Sequence, residues 1–270
     1  MLRGNQSSNN REDIMSRHFR LPALAAATLL LASATSGSAA EIKVLNANAL
    51  TIAMMELAAA YTKETGNPVT FEGVNPGQIE PRLKAGEYDI VIAPTAAAAA
   101  LEKEGKWRPG SRHPLARVGI GVAVREGVKV DLSTVESTRK ALLDAKRITH
   151  SNSTGGGLSG INAAKVLVNL GLADAVKAKT TLSDSLADGQ ALIAKGEIDL
   201  GLFNVSEIPR APGVVRAGPV PAAVQVYIDY DSAVPVTNAA PDAALALLKY
   251  FHRPASQLVW DKAGLEVVGE

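Results

Sequence analysis

Short apolar runs that read as strands alternate with stretches that read as helices, and glycine or proline closes most of them. This alternation constrains the fold more than any other feature of the chain. A strand–helix–strand repeat requires a mostly parallel sheet covered by helices. Residues 42–45 form the first strand candidate, and Asn46 to Ala49 break it. Residues 51–64 follow as a helix, with Ala53, Met54, Leu57 and Tyr61 at helical spacing and Gly66-Asn67-Pro68 as its stop. Residues 69–71 are extended, 78–85 helical, 89–93 a buried strand and 96–103 another helix, whose alanine run is helix filler.

Residues 114–124 make a long extended run, able to cross between two lobes. The pattern then restarts. Helices are expected over 137–143, 161–170 and 186–195, with strands over 147–150 and 199–203 and a Gly-rich stretch over 154–160. Val214 and Val215 extend toward Pro219, and residues 224–230 form a second extended segment, a candidate return crossing. Helices over 242–251 and 255–262 close the chain. The expected architecture is α/β, either one large domain or two smaller lobes, the latter dividing as residues 41–117 with 225–270 and residues 118–224.

The amino end reads differently. Arg17, His18 and Arg20 precede an apolar run over 21–32, and small residues over 33–40 end in Ser38-Ala39-Ala40 before Glu41. A basic patch, a short apolar core and a small-residue exit are what a signal peptidase requires. The apolar run is too short for a membrane span, which takes ~20 residues. Residues 1–40 are therefore expected to be a cleaved export signal, with Met15 as an alternative start, and the mature chain is expected in the periplasm.

Composition excludes several function classes. Lys plus Arg number 28 against 27 acidic residues, so no global field draws the chain to nucleic acid or to a charged membrane. With no cysteine, Cys-ligated zinc, iron–sulfur clusters and thiol catalysis are all absent. Beyond the signal the histidines are His113, His150 and His252, whose spacing suits no metal motif. Neither a metal nor a cofactor is expected. Aromatics at 4% count against ligands held by stacking, such as sugars and bases.

Four loop-to-helix junctions carry the candidate chemistry. They are Asn48-Ala49-Leu50-Thr51, Asn75-Pro76-Gly77-Gln78, the stretch from Thr154 to Gly160, and Ser183-Asp184-Ser185. Free N–H groups and the helix dipole at such junctions favour an anion, and ligands of open α/β sheets bind at the strands' carboxyl ends. Ordinary capping is the better explanation of any one junction, and it is their number and placement that point to a site.

Gly155, Gly157 and Gly160 match G-x-G-x-x-G, but Asp174, about 20 residues on, falls in a helix-turn region and not at a strand end. Ser159 lacks the nucleophile elbow, because Ile161 stands at the last position of G-x-S-x-G. His150 beside the Gly-rich loop could serve as a base, with a structural or surface histidine the favoured reading, while Asp89, Asp199 and Glu207 stay open between structural and chemical roles.

Taken in order, four segments resemble the periplasmic molybdate-binding proteins and their relatives. They are residues 43–54 (opening strand and helix), 83–93 (turn and third strand), 160–171 (second-lobe helix) and 196–204 (strand returning to the cleft). The resemblance implies a type 2, two-lobed periplasmic binding protein fold, joined by crossing strands and closing on a solute by hinge motion. It implies a monomer that delivers a small anionic or polar solute to a membrane ABC permease.

By the same resemblance the solute would meet Asn48, Ala49, Asn75, Pro76, Gly77, Ser159, Gly160, Ser185, Leu186 and Asn204. Ala49 stands where the family supplies a serine hydroxyl, Asn75-Pro76-Gly77 replaces a Ser-rich loop, and Asn204 replaces a tyrosine. Lost hydroxyl donors leave oxyanion oxygens unsatisfied at ~1–3 kcal/mol each, and amides suit an organic acid at least as well. A periplasmic aconitate isomerase is also similar to these binding proteins. An isomerase on the same scaffold is thus the alternative, with Arg82, His150 and Arg210 as contributors.

Overall fold

The computed structural model describes residues 41–152, 157–208 and 211–269. The expected signal at 1–40, Thr154, Gly155 and Arg210 lie outside the described residues. In chain order the elements are β1 (Ile42–Ala47), α1 (Thr51–Thr65), β2 (Val69–Val74), α2 (Ile79–Ala85), β3 (Ile90–Pro94), α3 (Thr95–Lys103), β4 (His113–Val118) and β5 (Ile120–Arg125). Then come α4 (Val135–Asp144), β6 (Ile148–Ser151), α5 (Leu158–Asn169), α6 (Ala173–Lys177), β7 (Thr180–Ser183), α7 (Leu186–Ala194) and β8 (Leu200–Asn204). The last are β9 (Val214–Pro219), β10 (Ile228–Ala233), α8 (Pro241–Phe251), α9 (Pro254–Lys262) and β11 (Glu266–Val267).

Local chemistry sets the ends. Gly66 takes the left-handed conformation that stops α1, with φ 78° and its N–H on Thr62 O. A capping box starts α4: Ser137 N–H donates to Thr134 Oγ1 (3.0 Å), and Thr134 N–H donates to Ser137 Oγ (3.1 Å). No helix among the described residues is long and apolar enough to cross a membrane.

The strands form two sheets. One has the order β11-β4-β10-β3-β1-β2, the other β7-β6-β8-β5-β9. Parallel pairs link β1 to β2 and β3, and β6 to β7 and β8; β10 and β5 pair antiparallel with their neighbours. Each sheet has its own apolar core. Val44, Leu45, Ile90, Ile92 and Trp260 are buried in the first, and Val122, Val124, Ile148, Val166 and Leu202 in the second.

Two expectations are corrected. The 114–124 run is not one strand: β4 and β5 belong to different sheets, and Gly119 alone separates them. The 224–230 segment is not one extended crossing either. Ala222–Val224 is a 3-10 turn, and β10 begins only at Ile228 and lies wholly in the six-stranded sheet. Gln225, at the return, clamps the outward crossing. Its Oε1 accepts Ile120 N–H (2.7 Å) and its Nε2 donates to Ile120 O (2.9 Å). A β-carbon at Gly119 would lie 2.6 Å from Gln225 Cδ, so glycine is what lets the two crossings touch. The strands β7 and β11 were not anticipated.

Candidate functional site

The carboxyl ends of β1, β6 and β8 and the starts of α5 and α7 enclose a cleft of ≈ 410 Å³ between the two sheets. Its first wall is the 3-10 turn Asn48–Leu50 and the loop at Asn75. Asn48 Nδ2 donates to Asn75 Oδ1 (3.2 Å), which ties the two junctions together. Gly73 permits this approach: a β-carbon there would stand 2.6 Å from Thr51 Oγ1 and 2.9 Å from Asn48 Oδ1.

The second wall is the start of α5 and α7. At α7 the N-cap Ser185 accepts Asp188 N–H (3.1 Å) and its own hydroxyl donates to Asp188 Oδ2 (2.7 Å), so one N–H of that helix start is satisfied internally. At α5 the N-cap is Gly157, which offers no side chain, and the turns opening at Asn48 and at Pro76 are likewise without a side-chain cap. Among the described residues, then, no side chain caps the first turn of α5, whose N–H groups are of the kind that bind an anion. Ser159 Oγ accepts Asn204 N–H (3.1 Å), which leaves the Ser159 hydroxyl proton free to be donated.

Electrostatically the cleft is unusual for an anion site. Asp184 and Glu207 line it, and among the described lining residues there is no Lys, Arg or His. Tyr230, 1% exposed, also lines it, and burial pushes its phenol far above the ordinary tyrosine value, so it stays neutral.

Of the residues singled out in the sequence, Asn48, Ala49, Asn75, Pro76, Ser159, Ser185, Leu186 and Asn204 line the cleft. Gly77 and Gly160 do not. Gly160 packs behind it, where a β-carbon would lie 2.1 Å from Ser151 O. Arg82 is ion-paired with Glu72 (3.0 Å) on an exposed helix and is not among the cleft residues. Asp89 accepts Lys43 N–H, and Asp199 accepts the N–H groups of Lys146 and Arg147; both are structural. Among the described residues no group of His, Asp and Glu is arranged to hold a metal ion.

Sequence reasoning passed over Ser151, Asn152 and Tyr230 and left Glu207 undecided. Glu207 follows a strand's carboxyl end by three residues, a position that could have marked it. Tyr230 carried no such signal, because β10 reaches the cleft from far along the chain.

His150 lies outside the cleft lining, buried at 8% exposure, its Nδ1 3.0 Å from Ser151 O. Burial lowers its pKa below the ordinary histidine value. As pH falls through about 6.5 the unfolded chain takes up a proton that the folded one refuses, so stability is lost on acidification. Replacing His150 with Gln is expected to flatten that loss between about pH 7 and pH 5, as read from urea midpoints across the range.

Residues 42–266 match the family described as bacterial extracellular solute-binding protein. An aconitate isomerase from a Pseudomonas species is 30% identical over 260 residues, covering 92% of this chain and 97% of that protein. The molybdate-binding protein ModA of Azotobacter vinelandii is 27% identical over 228 residues, covering 82% and 88%. A solved substrate-binding domain, assigned to a molybdenum ABC transporter of Clostridium difficile, superposes with a TM-score of 0.71 at 19% identity, covering 85% of this chain and 100% of that one. Two mixed sheets flanked by helices are the two-lobed architecture of these ModA-like neighbours. The chain belongs to the bacterial extracellular solute-binding protein family.

Proposed function

We propose that the protein captures a small anion in the cleft between its two sheets and hands it to a membrane ABC permease, acting in the periplasm once an amino-terminal signal is removed. The observation that carries this reading is the α5 start. Its N–H groups face no side-chain cap, and the Ser159 hydroxyl stands beside them. A helix amino end carries about half a positive charge and unsatisfied donors, which holds an anion without a basic side chain. Asn48 and Asn75 add amides around it. A carrier must also release its cargo, and a cleft with no basic side chain among its described lining residues suits that. The two sheet-centred lobes would close by hinge motion at Gly119 and Gln225. Solute and permease are the partners this role needs; nucleic acid and a second copy are not.

An isomerase is the second reading. Glu207 is a carboxylate in the cleft wall, the kind of group that takes a proton from a bound acid, and the aconitate isomerase is similar over nearly its whole length.

Thermal unfolding against molybdate, tungstate, sulfate, citrate and cis- and trans-aconitate tests both. A solute at 100 times its Kd adds about 2.7 kcal/mol, which raises Tm by about 5–10 °C in a chain of this size. The expected result is a shift with at least one of these anions and no interconversion of the aconitates. Silence across the whole panel would sink anion capture, and turnover of aconitate would replace the carrier with the isomerase.

A further inference from the structure

Asn204 ends β8 at the cleft, and its amide is oriented by a neighbour. Its Nδ2 donates to Glu207 Oε2 at 2.8 Å. Turning the amide over would set its oxygen against a carboxylate oxygen, so Oδ1 is held as the other face of the group. That oxygen is buried and accepts no hydrogen bond, on a residue 4% exposed that lines the cleft. A buried acceptor left without a donor is costly, and the described residues supply none.

The carboxylate of Asp184 adds a further acceptor to the same cleft. Donors gather instead at the α5 start, in its first-turn N–H groups and the Ser159 hydroxyl. The site thus has a donor side and an acceptor side. A fully ionised oxyanion is an acceptor all round and has no proton for Asn204 Oδ1.

We infer that the solute is a small carboxylic acid that also carries a hydrogen-bond donor, a hydroxyl or an ammonium group, with its carboxylate at the α5 start and its donor on Asn204 Oδ1. This rests on the anion-capture reading and narrows it. Asn204 is then the residue that sets specificity between substituted and unsubstituted acids.

Calorimetric titration with matched pairs tests it: malate and aspartate against succinate, citrate against propane-1,2,3-tricarboxylate, with molybdate and sulfate alongside. The expected result is that one substituted acid binds at least about tenfold more tightly than its unsubstituted partner, because a site built for a donor rejects the analogue lacking it. The malate and aspartate arms tell hydroxyl from ammonium. In Asn204→Leu the ratio should fall to near one. If that variant does not fold, the ratio in the unaltered protein decides alone. Equal binding within every pair, or binding of molybdate or sulfate without the acids, overturns the inference and leaves anion capture standing. If nothing in the panel binds, both fall.

Discussion

Gly160→Ala is expected to destabilise the protein by about 3 kcal/mol and to remove solute binding with it. The β-carbon would lie 2.1 Å from Ser151 O and 2.9 Å from Ser151 C. Both are main-chain atoms at the end of β6, so no rotamer change relieves the contact. The helix α5 has to lift off the sheet, and its amino end, where the anion is proposed to sit, moves with it. Intrinsic propensity points the other way, since alanine is favoured over glycine inside a helix by about 1 kcal/mol. The sign of the measured change therefore decides between packing and propensity. Urea midpoints with and without solute provide the check, and an alanine variant as stable as the parent would mean that α5 does not press on β6.

The second large effect is asymmetric. Arg112→Met is expected to cost about 3–5 kcal/mol, and Asp231→Asn clearly less. Asp231 lies on β10 at 2% exposure, accepts the Thr95 hydroxyl (2.7 Å) and is ion-paired with Arg112. Without Arg112 the carboxylate stays buried with the Thr95 hydroxyl as its remaining partner. The arginine is better placed to survive loss of the pair. Its side chain is 27% exposed and also holds Glu102 at 2.9 Å. Guanidinium chloride melts of both variants measure the difference, and equal losses would show that burial of Asp231 is not what makes the pair matter. The pair also bears on the cleft, because Tyr230, the preceding residue on β10, forms part of its wall.

Where a strand or helix ended in glycine, proline or a capping residue, its limits could be read from the residues themselves; α1 before Gly66 and α5 before Gly171 are examples. What could not be read is which sheet a strand joins. The run from Leu115 to Val124 is apolar except at Arg117 and two glycines, and periodicity says nothing of the change of sheet at Gly119. The strand β7, Thr-Thr-Leu-Ser at a sheet edge, has one buried residue and so no apolar pattern to see. At the cleft, the residues on helix-opening loops were legible because capping chemistry and ligand chemistry use the same side chains. Gly160 looked like a contact residue for that reason, and its place behind the wall follows from the closeness of α5 to β6, which no local pattern encodes.

The position of β10 has a consequence for how the chain matures. This strand lies between β3 and β4 in the six-stranded sheet, yet it comes from residues 228–233, more than a hundred positions after either neighbour begins. Until those residues leave the ribosome that sheet lacks a middle strand, and β3 and β4 have nothing to join them. The five-stranded sheet draws on residues 120–219 and so has all its strands before β10 is made. Contacts of long sequence separation form slowly. A nascent chain built this way stays incompletely folded until residues 228–233 have been made, the condition in which a polypeptide can still be threaded through a narrow channel.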